Sequence, residues 1–313
     1  MVSTALLTAQ QVGILFIIIA AGIIARLTHI ISEKGISDLT NILFYIITPA
    51  VVINSLASSS GAEAVGRLWQ SALGAVTAFA LLICVSTLIF IIFKRHTDKK
   101  GIDKKDINAL KYAAVFSNLG YMGIPLVRAL GGEVAVSCVS VGIIVFSVVN
   151  FTYGISLFNN GRNKIISIIL NPGTIGFIIG LPLMLFSVKL PEIIAQPIYL
   201  LSQSQTVVAM LLCGTILGGI KLSDFFRDKL MWVAVFLRLI FMAALTTALF
   251  MLLPFQPVVK LSLGLTFACP CAVAGPMFSA KFNGSTELLS KSVALSTFFS
   301  VITLPIVAGL LSI

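Results

Sequence analysis

Ten residues inside an apolar segment, Phe116-Ser117-Asn118-Leu119-Gly120-Tyr121-Met122-Gly123-Ile124-Pro125, bring together two glycines, a proline, a serine and an asparagine. A helix containing them loses part of its backbone ladder, because proline has no N–H and glycine is a poor helix former. In hydrocarbon each freed N–H or C=O costs several kcal/mol, so a break at membrane depth persists only where it is buried in protein or lines a polar cavity. The chemistry on offer is binding rather than catalysis. Unpaired N–H groups and the positive end of a resumed helix receive an anion, here at about Gly123 to Pro125. Ser117 and Asn118 add groups that both donate and accept, and Gly120 lets the chain bend.

About 150 residues later the pattern returns in Phe267-Ala268-Cys269-Pro270-Cys271-Ala272-Val273-Ala274-Gly275-Pro276, with a second resumed helix expected at about Cys271 to Ala272. Either stretch alone reads equally well as a proline kink re-satisfied by neighbouring helices. The repetition favours a secondary transporter built from inverted repeats, whose two interrupted helices meet at the binding site.

Other chemistries find few residues. All eleven Asp and Glu residues fall in loops or at helix ends, and His29 and His96 sit at the edge of apolar segments. A proton relay through an intramembrane acid is therefore disfavoured. Sodium coupling through Ser117, Asn118, Thr206 and backbone carbonyls stays open, as does simple uniport. Cys269 and Cys271 lack a nearby His or carboxylate and make an incomplete zinc site, so no metal is expected. No nucleophile-base set and no phosphate loop is present, which excludes the common enzyme classes. Cys84, Cys138 and Cys213 also lie in apolar runs and read as packing residues.

Arg238 stands apart, about 13 Å of helix inside an apolar segment. A charge at that depth faces the protein interior. It either binds carbonyls at a broken helix end or attracts an anionic substrate.

The elements that must position these residues follow from composition. The chain has 313 residues, 58% hydrophobic and 10% charged, with a mean hydropathy of +1.08. That is a polytopic membrane protein. Apolar runs of membrane-spanning length fall at 7–29, 35–57, 69–93, 107–130, 134–158, 166–188, 194–219, 229–252, 256–281 and 287–312. The first run has no basic residue ahead of it, which argues for a retained span. The net charge of +10 would suit nucleic acid, but its distribution does not. Of the 21 Lys and Arg, sixteen sit in or near the odd-numbered loops, and only Arg67, Arg128, Lys189 and Lys260 mark the other side. This places odd loops in the cytoplasm and both termini outside. Five spans per half is an odd number, so the halves are inverted: 1–158, a short linker at 159–165, and 166–313, with crossovers at 116–125 and 267–276.

Two further stretches bear on the path. Thr48-Pro49 interrupts the second span, and Ser202-Gln203-Ser204-Gln205-Thr206 wraps polar groups all round the seventh. Some of the latter bond between helices and the rest line a path. Gly176 and Gly180 in the sixth span form a small-xxx-small face, suited to packing within one protomer or to a dimer interface.

At Asn118 and the Met122-Gly123-Ile124-Pro125-Leu126 run the chain resembles the auxin efflux carrier family, which includes plant auxin carriers and bacterial organic-acid permeases. Ala268, Pro270, Pro276, Ala280-Lys281-Phe282-Asn283, Leu295-Ser296-Thr297 and Leu304-Pro305 extend the resemblance through the second half. It implies ten transmembrane helices in a fold similar to bile-acid transporters and sodium-proton antiporters, with spans four and nine crossing in the membrane. It also implies a homodimer held by spans 1, 2, 6 and 7, and an elevator-like transport domain of spans 3–5 and 8–10. Asn118 and the Cys269-Pro270-Cys271 crossover would contact substrate, with Thr48, Pro49, Gln203, Gln205 and Thr206 facing them. Cys271 departs from the polar residue of the plant carriers, and their long central loop is missing, as in short prokaryotic members. The expected activity is movement of a small organic anion, a dicarboxylate or an indole acid, across the cell membrane. A sodium-coupled bile-acid-type symporter and a non-transporting membrane sensor are the alternatives.

Overall fold

The computed structural model describes residues 2–59, 62–92, 101–159, 171–219, 228–282 and 284–311. Most of the expected linker at 159–165 and several basic loop residues, among them Lys94, Arg95, Arg162 and Lys221, lie outside the described residues.

Helices form almost everything described. In chain order they are α1 (Val2–Leu27), α2 (Glu33–Ile42), α3 (Thr48–Ala57), α4 (Ala62–Ile92), α5 (Lys104–Val115), α6 (Ile124–Val149), α7 (Pro172–Leu185), α8 (Glu192–Gly218), α9 (Lys229–Phe236), α10 (Ala243–Leu252), α11 (Pro257–Ala268), α12 (Ala274–Lys281) and α13 (Thr286–Leu311). No strand occurs among the described residues. Among the described residues six helical stretches are long and apolar enough to cross a membrane: Glu33–Ala57, Glu63–Ile92, Leu119–Gly154, Glu192–Gly218, Lys229–Leu252 and Thr286–Leu311. Gly13–Leu27, Pro172–Leu185 and Pro257–Ala268 are shorter apolar helices. Large side chains such as Ile193 and Leu252 are mostly exposed, as suits a lipid-facing surface rather than water.

Helix ends are set by polar residues flanking the apolar runs. Ser32, Asp103, Asn171 and Asp228 each cap a helix by accepting a backbone N–H two or three residues on, which satisfies donors with no partner in the preceding turn. α4 begins at Ala62, earlier than the apolar run at 69. Glu63 and Arg67, paired at 3.4 Å, let a polar first turn stay helical.

Proline explains the wide turn before α3. Pro49 has no N–H, and the stretch Leu43–Ile47 ahead of it is a π-helix, in which the Leu43 carbonyl accepts both the Thr48 N–H and, at 2.8 Å, the Thr48 hydroxyl. Further π segments interrupt the helices at Leu119–Gly123, Asn150–Gly154 and Leu237–Met242. α6 is bent at Gly132, whose φ of 63° and ψ of −159° belong to a region that only glycine visits freely.

Two seams organise the packing. α1 lies against α8 where Gly22 and Gly214 remove side chains, so the two backbones touch. α7 lies against α3, with Gly176 over Pro49 and Gly180 over Ile53 and Leu56. The small-residue face on α7 is thus filled inside the chain, which settles it as a packing contact within one protomer. α2 lies on α8, and α4 to α6 and α9 to α13 pack on one another around the crossovers.

Candidate functional site

The two interrupted helices meet. α5 stops at Val115 and the chain becomes extended at Phe116, while α11 stops at Ala268 and becomes extended at Cys269. Between the ends, Ser117 and Cys271 form an isolated antiparallel bridge. The Asn118 N–H donates to the Pro270 carbonyl at 2.7 Å, and the Ala272 N–H donates to the Phe116 carbonyl at 3.0 Å. Each break therefore satisfies part of the other, which is how the chain tolerates both.

Arg238 finishes the junction. Its guanidinium is fully buried and donates to Cys269 O at 3.0 Å, to Ala114 O at 2.9 Å and to Phe267 O. These carbonyls end α5 and α11, where a cation complements the negative helix ends. The arginine lies at the back of the crossover and takes no part in the cavity lining. Of the two roles its sequence position allowed, the contacts made are those of the carbonyl-binding one.

In front of the crossover is a cavity of about 490 Å³. Its floor carries Ser117, Asn118, Gly120 and Gln205, with Ala272 and Val273 from the second crossover and Thr48 at the side. The Gln205 amide donates to Gly120 O at 2.8 Å, while its Oε1 and the Ser117 hydroxyl are buried without a hydrogen-bond partner. Buried polar atoms of this kind cost about 1–3 kcal/mol unless something else bonds them. Leu119, Gly120 and Tyr121 open the resumed helix, so their N–H groups lack a partner in a preceding turn. The floor therefore offers several donors and no carboxylate. Aromatic rings, including Phe44, Tyr121, Phe146 and Phe278, make the walls, and Lys281 stands among the lining residues.

Several expected contacts lie elsewhere. Cys271 turns its thiol toward Ala113 O, 3.7 Å away, and gives its N–H to Ser296. Cys269 faces Arg238, and Pro270 spends its carbonyl on Asn118. Gly123 is pressed on Thr266 and Pro49 on Gly176, and Pro125 is buried off the cavity. On α8 the helical period puts Ser202, Gln205 and Ala209 on the buried face, leaving Gln203 and Thr206 beside it.

Sequence reasoning passed over Asn150 and Asn171, which also line the cavity. Asn150 accepts the Tyr112 hydroxyl at 2.8 Å, and Asn171 caps α7. A lone asparagine inside an apolar run was the available signal for both.

Beyond the resumed half-helix, hydrogen bonds cross between elements. Arg128 donates to Glu133 at 2.9 Å and to the Ser202 carbonyl and hydroxyl at 3.2 and 3.0 Å. Asn54 donates to Glu133 at 3.4 Å, and Ser55 meets Ser140 at 2.9 Å. These bonds tie α6 to α3 and α8. Among the described residues, no group of three or more His, Cys, Asp or Glu is placed to hold a metal ion.

Residues 7–166 and 161–308 both match the family model described as membrane transport protein, the domain of the auxin efflux carriers. No curated protein matches the chain.

Proposed function

The chain belongs to the auxin efflux carrier family, a family of membrane transporters and not of enzymes, and from that premise we propose that it carries a small organic anion by elevator-type alternating access. The single observation that carries this reading is the bridged crossover over a donor-rich, carboxylate-free cavity floor. A carboxylate would sit at the start of the resumed helix, with Ser117 and Asn118 beside it and Gln205 bridging to Gly120. Aromatic walls suit an apolar body on the same anion.

The ten-span arrangement counts α2 with α3, and α9 with α10, as one span each. The fourth span is α5 plus the helix up to Gly132, the fifth is the rest of α6, and α11 with α12 makes the ninth. The two seams support a scaffold of spans 1, 2, 6 and 7, and the crossover cluster supports a separate transport unit of spans 3–5 and 8–10. With odd loops in the cytoplasm of a cell membrane and both termini outside, the cavity faces inward. Arg238 occupies helix-end carbonyls that a coupling sodium ion would use, which supports uniport over sodium symport. The homodimer implied by the family would use outer faces of the scaffold, since the Gly176 and Gly180 face is filled.

Counterflow in proteoliposomes tests the reading. Malate, malonate, lactate and indole-3-acetate are offered with and without sodium or a pH gradient, to wild type and to Asn118→Ala. Saturable exchange of one of them, lost in the variant, is the expected result. Ligand binding without flux would point instead to a sensor.

A further inference from the structure

Each resumed half-helix carries a single cation toward its far end. Arg128 stands eleven residues beyond Ser117, and Lys281 ten residues beyond Cys271, the two residues that bridge at the crossover. About two helical turns, roughly 12 Å, separate either cation from the start of its half-helix. The chain thus places two equivalent charges on opposite sides of one site.

Their surroundings differ. Lys281 is exposed, lines the cavity, and is the one charged residue among its lining. Among the described residues no carboxylate pairs with it, and its ammonium lies 5.8 Å from the Phe282 ring. The Arg128 side chain is only 13% exposed and is fully engaged by Glu133 and Ser202. Glu133 reaches it because Gly132 reverses the chain with a φ of 63°.

The bonds to Arg128 are of two kinds. Glu133 is five residues away on the same element and moves with it, holding Nε. Ser202 is on α8 and holds the two terminal nitrogens. If α6 slides along α8, those two nitrogens are freed as a pair while Glu133 keeps the plane oriented. A parallel pair of N–H donors matches a carboxylate.

We propose that Lys281 and Arg128 are alternate anion-receiving residues, one at each mouth of the transport path, with Lys281 serving the open cavity and Arg128 the opposite mouth after Ser202 and Asn54 let go. Glu133 is the positioning residue for Arg128. This rests on the organic-anion reading, so the test is arranged to separate the two.

The measurement is the side-specific KM of a carboxylate found by the counterflow panel, taken in right-side-out and inside-out vesicles of the full chain. Lys281→Gln is expected to raise KM at the cavity face about tenfold and to leave KM at the other face within twofold, the maximal rate from that other face falling in proportion, since a passive carrier keeps the ratio of maximal rate to KM equal in both directions. Lys281→Arg restores it. Arg128→Lys, which keeps the pair with Glu133, is expected to raise KM at the opposite face about fivefold and to spare the cavity face. A merely structural role would change both faces together or lower the amount of folded carrier. Equal effects at both faces, or none, overturn the inference while the carrier reading stands. Wild type that moves no carboxylate overturns the carrier reading, and this inference with it.

Discussion

At the first crossover Ser117 and Asn118 both line the cavity, whereas at the second Cys269, Pro270 and Cys271 stay off it and the lining begins at Ala272. Cys269, Pro270 and Cys271 are spent on Arg238, Asn118 and Ser296. The two stretches look equivalent as breaks, since both combine small residues with proline in an apolar run. Their partners make them different. α11 and α5 both end on the Arg238 guanidinium, so that face is fixed, and under the proposed function recognition falls to Ser117 and Asn118 on the other. On that proposal one crossover supplies the polar side chains and the other supplies the platform.

Removing the platform has the largest expected effect. Arg238→Leu strands the carbonyls of Ala114, Phe267 and Cys269, each at about 1–3 kcal/mol. Thermal unfolding in mild detergent is expected to show the loss as a fall of the midpoint of many degrees, or as no folded protein at all. Arg238→Lys recovers part of it, because an ammonium cannot span the same fork of acceptors. A stable, transporting Arg238→Leu protein would mean that the crossovers hold each other without help, through the Ser117–Cys271 bridge alone.

Next comes the contrast between side chain and backbone. Asn118→Ala removes an amide from the floor, where a bond to a charged ligand is worth about 1.5–3 kcal/mol, or tenfold and more in affinity. Cys271→Ala removes a thiol that faces Ala113, and transport within about twofold of wild type is expected. Radiolabelled counterflow on the two variants, matched for folded amount, decides it. If Cys271→Ala is the more damaging, the second crossover recognises substrate through its side chains and the asymmetry is false.

How far this was legible varies residue by residue. The breaks at 116–125 and 267–276 were readable because proline and glycine in hydrocarbon leave few alternatives. Arg238 was readable as a buried charge, but the carbonyls it holds come from residues 29 to 124 positions away, and no local pattern encodes that. Ser117, Asn118 and Gln205 read as path residues by polarity, Gly120 by the break and Thr48 by the resemblance, and all five line the cavity. Gln203 and Thr206 follow the polarity rule and sit elsewhere, because rotation about a helix axis decides the face and polar runs do not specify it, while Pro49 and Gly123 are taken up by packing against Gly176 and Thr266. Lys281 counts toward topology and toward the family resemblance but not toward the site, since a basic residue at a helix end is expected on the cytoplasmic side in any case.

The finest division runs within the first crossover, between two glycines three residues apart. A Cβ on Gly123 would lie 2.6 Å from the Thr266 methyl, whereas one on Gly120 meets nothing within 4 Å. Thr266 cannot yield cheaply, because it is buried and its hydroxyl bonds Ser262 O at 2.8 Å. Gly123→Ala is therefore expected to wedge the resumed half-helix off α11 and to cost about 1–3 kcal/mol, seen as a lower unfolding midpoint with transport reduced in proportion. Gly120→Ala puts a methyl into open cavity beside the carbonyl that Gln205 bonds. It is expected to leave the midpoint within a degree or two and to shift KM by no more than about threefold, with larger anions affected most. A Gly120→Ala protein that unfolds early would place this turn in the platform rather than at the site. The line between support and recognition would then fall between Asn118 and Gly120.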